Sequence, residues 1–419
     1  MAFLCVATLV PRILLAIGLG VAGNPERWEY DVIAANIVSG QGPIYDREGF
    51  VYAAYAPPLW SYVLAFLLLL PGDSRVTIQI VQALLCLGTA VAATRIAQRI
   101  SGHSGIAMIA GLLVALQPSL LYYSVVKSDP LPLNALLLSG IALAGLNLLE
   151  SNDRRSATAL GVLTGVGILC RGTPAVALLV VGIGLALRFR ARAWPPLALA
   201  TIACAVSVSP WLARNLVVIG SPLITSTTGE NFWRGNHLGA SGGVVDLDGG
   251  RITILVPSNP ALPAPIRSVL ATGTEIDRHE AFMTEAFRFI AHDPWAAARL
   301  FARKLRTFWW RIDSDPGDYP AMAARGYEWI FRVELILALL GAFLALRSPR
   351  SRAAAGLCLA IIIAISLLQS AFYVQGRHRF LIEPLLLIFT AIGVGRLAEL
   401  GSSHRRVIAV VAVGNGASR

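Results

Sequence analysis

GNPERWEYDVIAANIVSGQGPIYDREGFVYAAYAPP, residues Gly23 to Pro58, lies between one membrane-length apolar run and a series of further ones. The chain has only 24 Asp and Glu in 419 residues, yet Glu26, Glu29, Asp31, Asp46 and Glu48 all fall in this stretch. Trp28, Tyr30, Tyr45, Tyr52 and Tyr55 stand among them. Acids and aromatics gathered beside a bilayer read as a site. The plain alternative is a solvated loop with an aromatic belt at the lipid interface.

Working outward, the composition is 56% hydrophobic and 14% charged, where a soluble domain carries roughly 25% charged residues. Apolar runs of about 20 residues recur along the chain, which makes it an all-α polytopic membrane protein of about ten spans. The formal net charge of +11 fits arginines in cytoplasmic loops and not a nucleic-acid partner. Cys5, Cys86, Cys170, Cys204 and Cys358 lie in apolar runs without a CxxC pair. They read as small buried hydrophobes, with neither a disulfide framework nor a thiolate metal site. The apolar N-terminus reads as a retained first span, Phe3 to Val21, with Arg12 inside it.

Arginine clusters follow the runs ending at Ile96, Leu149, Leu187, Leu346 and Ala398, always on the same side. The positive-inside rule makes that side cytoplasmic. Pro58 to Pro71 is too short to cross and would invert every later loop if it did, so it is expected to lie in the outer interface. The loop 23–58, Asp129, Arg171 and a polar segment then face outward. The expected divisions are a transmembrane core at 1–219, an extracytoplasmic unit at 220–326 and C-terminal spans at 327–419. Within 220–326, Glu275 to Trp310 has helical periodicity broken at Asp293-Pro294. The second of these helices, with Arg299, Arg303, Lys304, Arg306 and Trp309-Trp310, is expected at the membrane interface. No GxxxxGK[ST], strand-borne GxGxxG or internal repeat is present.

The outer side also carries Lys127, Arg171, Arg214, Arg377 and Arg379, against the positive-inside bias. Charges at span ends mark a ligand path or a paired structural charge, and arginine suits bidentate phosphate binding. Asp129 is either part of such a path or the cap of a helix starting at Leu131. His237 and His378 are lone histidines, which are seldom ligands, and no metal constellation stands out.

An ordered set of motifs runs through most of the chain: Glu26-Arg-Trp-Glu-Tyr30-Asp-Val-Ile33-Ala34, Gly40-Gln-Gly42, Pro57-Pro58-Leu59, Ser128-Asp129-Pro130 and Arg171-Gly-Thr-Pro174. They continue as Pro210-Trp-Leu-Ala-Arg214-Asn215, Gly229-Glu-Asn-Phe-Trp-Arg-Gly235-Asn236 and Arg377-His-Arg379-Phe-Leu-Ile-Glu383-Pro384. The set resembles the GT-C membrane glycosyltransferases, in the bacterial branch near the protein mannosyltransferases and the aminoarabinose transferase of lipid A. The resemblance implies sugar transfer from a polyprenyl-phosphate donor to a glycan, glycolipid or protein acceptor on the outer face of the cytoplasmic membrane. It also implies an Asp base in the first outer loop. Counting back from Tyr30 puts Glu26 there, and counting from Ile33-Ala34 puts Glu29 there, so the base is one carboxylate among Glu26, Glu29 and Asp31. Ala56 stands where some relatives carry a lysine before the proline pair.

Transfer needs a carboxylate to take the acceptor hydroxyl's proton and cations, or a divalent metal, to meet the charge that grows on the leaving phosphate. The residues expected to contact substrate are Tyr30, Tyr55, Asp129, Arg171, Arg214, Asn236, Arg377 and Arg379. Two other classes fit a polytopic protein: a polyprenyl-lipid flippase, which would favour inverted repeats, and an assembly subunit, which would not need acids and arginines on one face.

Overall fold

The computed structural model describes residues 1–243, 255–311 and 321–416, as backbone alone beyond residue 399. Residues 244–254 and 312–320 of the expected extracytoplasmic unit, and the side chains of the Val407–Val413 run, lie outside the described residues.

Capping residues cut the apolar runs into helices. In chain order these are α1 (Ala2–Gly18), α2 (Glu29–Val38), the hairpin strands β1 (Tyr45–Arg47) and β2 (Phe50–Tyr52), α3 (Pro58–Leu68) and α4 (Ser74–Ser101). Next come α5 (Ser104–Leu116), α6 (Pro118–Val126), α7 (Leu131–Ser151), α8 (Arg154–Cys170), α9 (Ala175–Phe189) and α10 (Trp194–Ile219). Then follow α11 (Thr228–Arg234), α12 (Ala264–Thr272), α13 (Glu275–His292) and α14 (Pro294–Trp310). The chain finishes with α15 (Ala321–Arg347), α16 (Arg352–Ala371), the single turn α17 (Gly376–Phe380) and α18 (Glu383–Gly416). Asp73, Asp153 and Asp293 accept backbone N–H groups at the starts of α4, α8 and α14, filling donors that a helix start leaves orphaned. Thr274 and Asp277 form a reciprocal capping box on α13.

Among the described residues, five helical stretches are long and apolar enough to cross a membrane, and the pair α5 and α6 makes a sixth if counted as one broken span. The expectation of about ten spans is not confirmed. One of the five is the continuous 45-residue stretch of α9 and α10, about 68 Å of helix, or twice the thickness of a hydrocarbon core. A positive φ of 52° at Arg190 divides it. The helices α1 and α8, with 17 residues each, are short for a span. The 11 residues of α3 reach only about 16 Å, in keeping with the interfacial placement of Pro58 to Pro71. The run Ile106 to Val126, expected as one span, is bent by 42° because Pro118 begins a new helix after Gln117.

Helices approach closely where glycines line the contact. A Cβ at Gly161 of α8 would stand 2.2 Å from the Ala200 carbonyl oxygen of α10, and one at Gly341 of α15 would stand 1.9 Å from that of Phe389 on α18. Small residues drive such contacts where lipid removes the hydrophobic incentive to associate. Arg12 is buried within α1: it donates through Nη1 to the carbonyls of Thr8 and Ala115 and through Nε, at 2.9 Å, to Ser124 Oγ, while Nη2 has no partner among the described residues. The main core joins the spans. A smaller one, built on Trp233, Ile266, Leu270 and Phe282, sits under α11 to α13. The motif at Gly229 to Asn236 lies largely within α11.

Candidate active site

Two backbone hydrogen bonds fix the start of the acidic loop. Glu26 N–H donates to Val126 O at 2.7 Å, and Ser128 N–H donates to Glu26 O at 2.9 Å. They zip residue 26 alongside Lys127 as a short parallel bridge. Two glutamines on α4 reinforce it from inside the bundle. Gln79 accepts from Gly23 N–H and donates to Val21 O and Val125 O. Gln82, fully buried, donates to Lys127 O at 2.8 Å and accepts the N–H of Asp129 at 3.0 Å. The acidic loop and the Lys127-Ser128-Asp129 turn are thus held as one piece.

From this anchor α2 starts, and its first turn sorts the acids. Asp31 turns back to accept the Trp28 N–H at 3.2 Å, an N3 carboxylate closing the helix start. Glu29 lines a cavity of about 630 Å³, together with Trp28, Tyr30, Asp129, Arg171, Arg377 and His378. Burial pushes the Glu29 carboxyl above its usual range, the Asp129 charge adds to this, and Arg377 and Arg171 oppose it. Burial likewise raises the Tyr30 and Tyr55 hydroxyls. Burial lowers the His378 imidazole, and Arg171 and Arg377 lower it further. Asp129 caps α7, one oxygen accepting the Leu131 N–H at 2.8 Å, and it also lines the cavity. Arg171, at the end of α8, and Arg377, on α17, make no side-chain hydrogen bond or ion pair among the described residues, and Arg377 Nε is buried without a partner.

A second charged group lines the same cavity. Arg47 donates to both oxygens of Glu230, at 3.0 and 3.2 Å, and Arg234 donates to Glu230 at 2.5 Å. Burial alone would raise the Glu230 carboxyl, but Arg234 and Arg47 outweigh it and hold it below the usual range. Tyr45 and Tyr55, with ring centroids 4.5 Å apart, pack beside this group. The hairpin that carries Arg47 turns through Glu48 and Gly49 at φ values of 55° and 83°, the two-residue turn that suits strand twist. Glu275 accepts the N–H groups of Ala53 and Ala54 and so fixes the following loop.

Five expected site residues do not line the cavity. Glu26 precedes α2 and is half exposed, with its carboxylate 3.5 Å from Lys127 Nζ. Asp31 is spent on the helix start. Arg214 donates to Ala53 O and Asn215 and stacks on Trp211. Asn236 is buried between Phe232 O, Ala371 O and the Lys304 ammonium. Arg379 is buried, donates to Phe308 O at 2.9 Å and faces Glu383 at 3.6 Å. The reason is periodicity: residues two apart on a helix point about 200° apart. Glu29 therefore excludes Asp31 from the cavity, and Arg377 excludes Arg379. Tyr30, Tyr55, Asp129, Arg171 and Arg377 line it.

Sequence reasoning missed Arg47, Glu230 and Arg234, though Glu230 and Arg234 stand at the i,i+4 spacing of a helical pair. It also missed Gln79 and Gln82, two amides one turn apart in an apolar span, a pattern that marks function or a buried clamp. Among the described residues no group of three or more His, Cys, Asp or Glu side chains is placed to hold a metal. Of the three carboxylates that line the cavity, Glu230 is paired with Arg47 and Arg234, which leaves Glu29 and Asp129.

Known proteins share this fold. The model of the dolichyl-phosphate-mannose-protein mannosyltransferase family matches residues 55–213. The Archaeoglobus fulgidus oligosaccharyltransferase in its apo form superposes with a TM-score of 0.54 at 12% identity, covering 91% of this chain and 48% of that one. This is the GT-C fold. The archaeal oligosaccharyltransferase AglB of the same organism, in complex with an inhibitory peptide and a dolichol-phosphate, gives a TM-score of 0.53 at 11% identity, covering 91% of this chain and 47% of that chain. The chain therefore spans about half the length of these GT-C structures. ArnT from Cupriavidus metallidurans, bound to undecaprenyl phosphate, aligns at 17% identity over 94% of this chain and 79% of that one, with a TM-score of 0.42. Among curated proteins no sequence matches significantly.

Proposed function

We propose that this protein is a membrane glycosyltransferase that moves a sugar from a polyprenyl-phosphate donor to an acceptor hydroxyl. Transfer takes place at the outer face of the cytoplasmic membrane, on a glycan, glycolipid or protein acceptor. One observation carries the reading: Glu29 and Asp129 share a cavity with Arg171 and Arg377, two arginines without a side-chain partner among the described residues. Both guanidinium groups are half-buried and, among the described residues, lack a hydrogen-bonded partner, which is costly, and a phosphate between them would meet that cost. The match of residues 55–213 to the mannosyltransferase model supports the same chemistry.

In this mechanism Glu29 accepts the proton of the acceptor hydroxyl as its oxygen attacks the anomeric carbon. The new glycosidic bond forms while the bond to the lipid phosphate breaks, and the phosphate leaves with the electron pair. Arg171 and Arg377 stabilise that charge as it develops. Attack opposite the leaving group inverts the anomeric centre. Asp129, held by Gln82 and the start of α7, is placed to take sugar hydroxyls. Tyr30, Tyr45 and Tyr55 supply faces against which a sugar ring packs.

The test is incubation of the purified protein, in bilayers, with a labelled polyprenyl-phosphate sugar. Release or transfer of the label, lost in Arg171→Met and Arg377→Met, is the expected result. Intact lipid that has only changed leaflets would replace the transferase reading with a flippase.

A further inference from the structure

The exposed face of α14 carries a pattern that the cavity does not use. At 100° per residue, Trp295, Arg299, Arg303, Arg306 and Trp310 fall within an arc of about 80°. All five are exposed, Trp295 at 77% and Trp310 at 53%. Leu300, Lys304 and Phe308, on the opposite arc, are buried. The sequence reading placed Lys304 among the basic residues of the interface. The structure turns it inward, onto Gly235 O, Asn236 Oδ1 and Ala371 O.

Arg299, Arg303 and Arg306 make no hydrogen bond or ion pair among the described residues, and α14 contains no acid. The face continues onto the next helix. Arg332 lies 5.7 Å from the Trp310 ring and 4.9 Å from the Trp329 ring, and Trp329 is 66% exposed. Arg332 itself pairs with Glu328 at 3.3 Å. Trp310 and Trp329 stand where α15, one of the membrane-length helices, begins. Tryptophan at that level settles among headgroups, and unpaired arginines beside it match lipid phosphates in charge and geometry.

We propose that this face of α14, with the adjoining start of α15, is a binding surface for anionic phospholipid headgroups. Tryptophan insertion would hold it at any bilayer surface. The three unpaired arginines make it select anionic lipid over zwitterionic lipid. The proposal stands apart from the transfer chemistry.

The full-length protein is reconstituted into bilayers of phosphatidylglycerol and phosphatidylcholine in equal parts and extracted with detergent, and the retained lipids are quantified by mass spectrometry. The wild type should retain phosphatidylglycerol in excess. R299Q/R303Q/R306Q should lose that excess, at about fivefold per arginine. R299K/R303K/R306K should keep most of it, since the charge remains. If the triple glutamine variant does not fold, the three single variants are read in its place. Equal retention of the two lipids by the wild type, or an excess unchanged by the glutamine substitutions, overturns the proposal. So does retention of a soluble polyanion such as polyphosphate with no lipid preference, which would make the face a polymer-binding surface.

Discussion

The backbone N–H of Asp129 donates to the buried side-chain oxygen of Gln82 at 3.0 Å, while the Gln82 amide nitrogen holds the Lys127 carbonyl at 2.8 Å. One side chain in the middle of an apolar span thus sets where a cavity carboxylate stands. Gln82→Leu should keep the fold's apolar volume and release the Lys127–Asp129 turn. Misplacement of a substrate-holding group costs about 10- to 100-fold in turnover. The expected result is a fall in kcat with little change in donor retention, and unchanged kcat would remove Gln82 from the positioning of the site.

The two arginines of α17 should fail differently. Arg377→Met removes a cavity cation and should cut transfer by about 10²-fold or more, with thermal stability held. Arg379→Met leaves the buried Glu383 without its cation and should destabilise the protein by about 3 kcal/mol. Thermal unfolding in detergent, beside a transfer assay, separates the two.

The pH profile has a definite sign. Burial and the Asp129 charge push Glu29 up, and a base must be deprotonated to act, so the acidic limb of kcat/KM should lie above the range of a free glutamate. Asp129→Asn removes one of the raising influences while its Oδ1 can still accept from Leu131 N–H. The limb should therefore move to lower pH. Movement to higher pH would mean that another group titrates there.

Lys304 gives a stability test away from the cavity. Burial depresses its ammonium to about 7 from the ordinary value of 10.5. Folding then disfavours its protonation, so the Lys304 contribution should make stability rise with pH between about 7 and 10.5 and level off below. In Lys304→Met, which also leaves the carbonyls of Gly235 and Ala371 without this donor, that part of the pH dependence should disappear and the melting temperature should fall.

The sequence carried the membrane class, the shortness of the helix in Pro58 to Pro71 and the break of α13 from α14 at Asp293-Pro294, because each rests on local signals: run length and proline. Five of the eight expected substrate contacts line the cavity, whereas Arg214 and Arg379 show that an arginine at a span end also serves as a structural tie. What it could not carry was direction. Asp31 and Arg379 sit two residues from Glu29 and Arg377, and only the phase of a helix turn decides which of each pair meets the cavity. The Arg47–Glu230–Arg234 group was hidden further, because it joins a hairpin to a helix 183 residues away. Lys304 looked like one more surface cation until the turn at Gly235 and Asn236 closed over it.

The central claim is that Glu29, and not Glu26 or Asp31, is the base. The most direct measurement is single-turnover transfer from labelled polyprenyl-phosphate sugar by Glu29→Gln, Glu26→Gln and Asp31→Asn, each reconstituted and checked for fold. Glu29→Gln should lose about 10²- to 10⁴-fold in rate while still binding donor, and the other two should stay within about tenfold of the wild type, because Glu26 is paired with Lys127 outside the cavity and Asp31 closes the start of α2. Near-normal transfer by Glu29→Gln, or a larger loss in Glu26→Gln, would contradict the account.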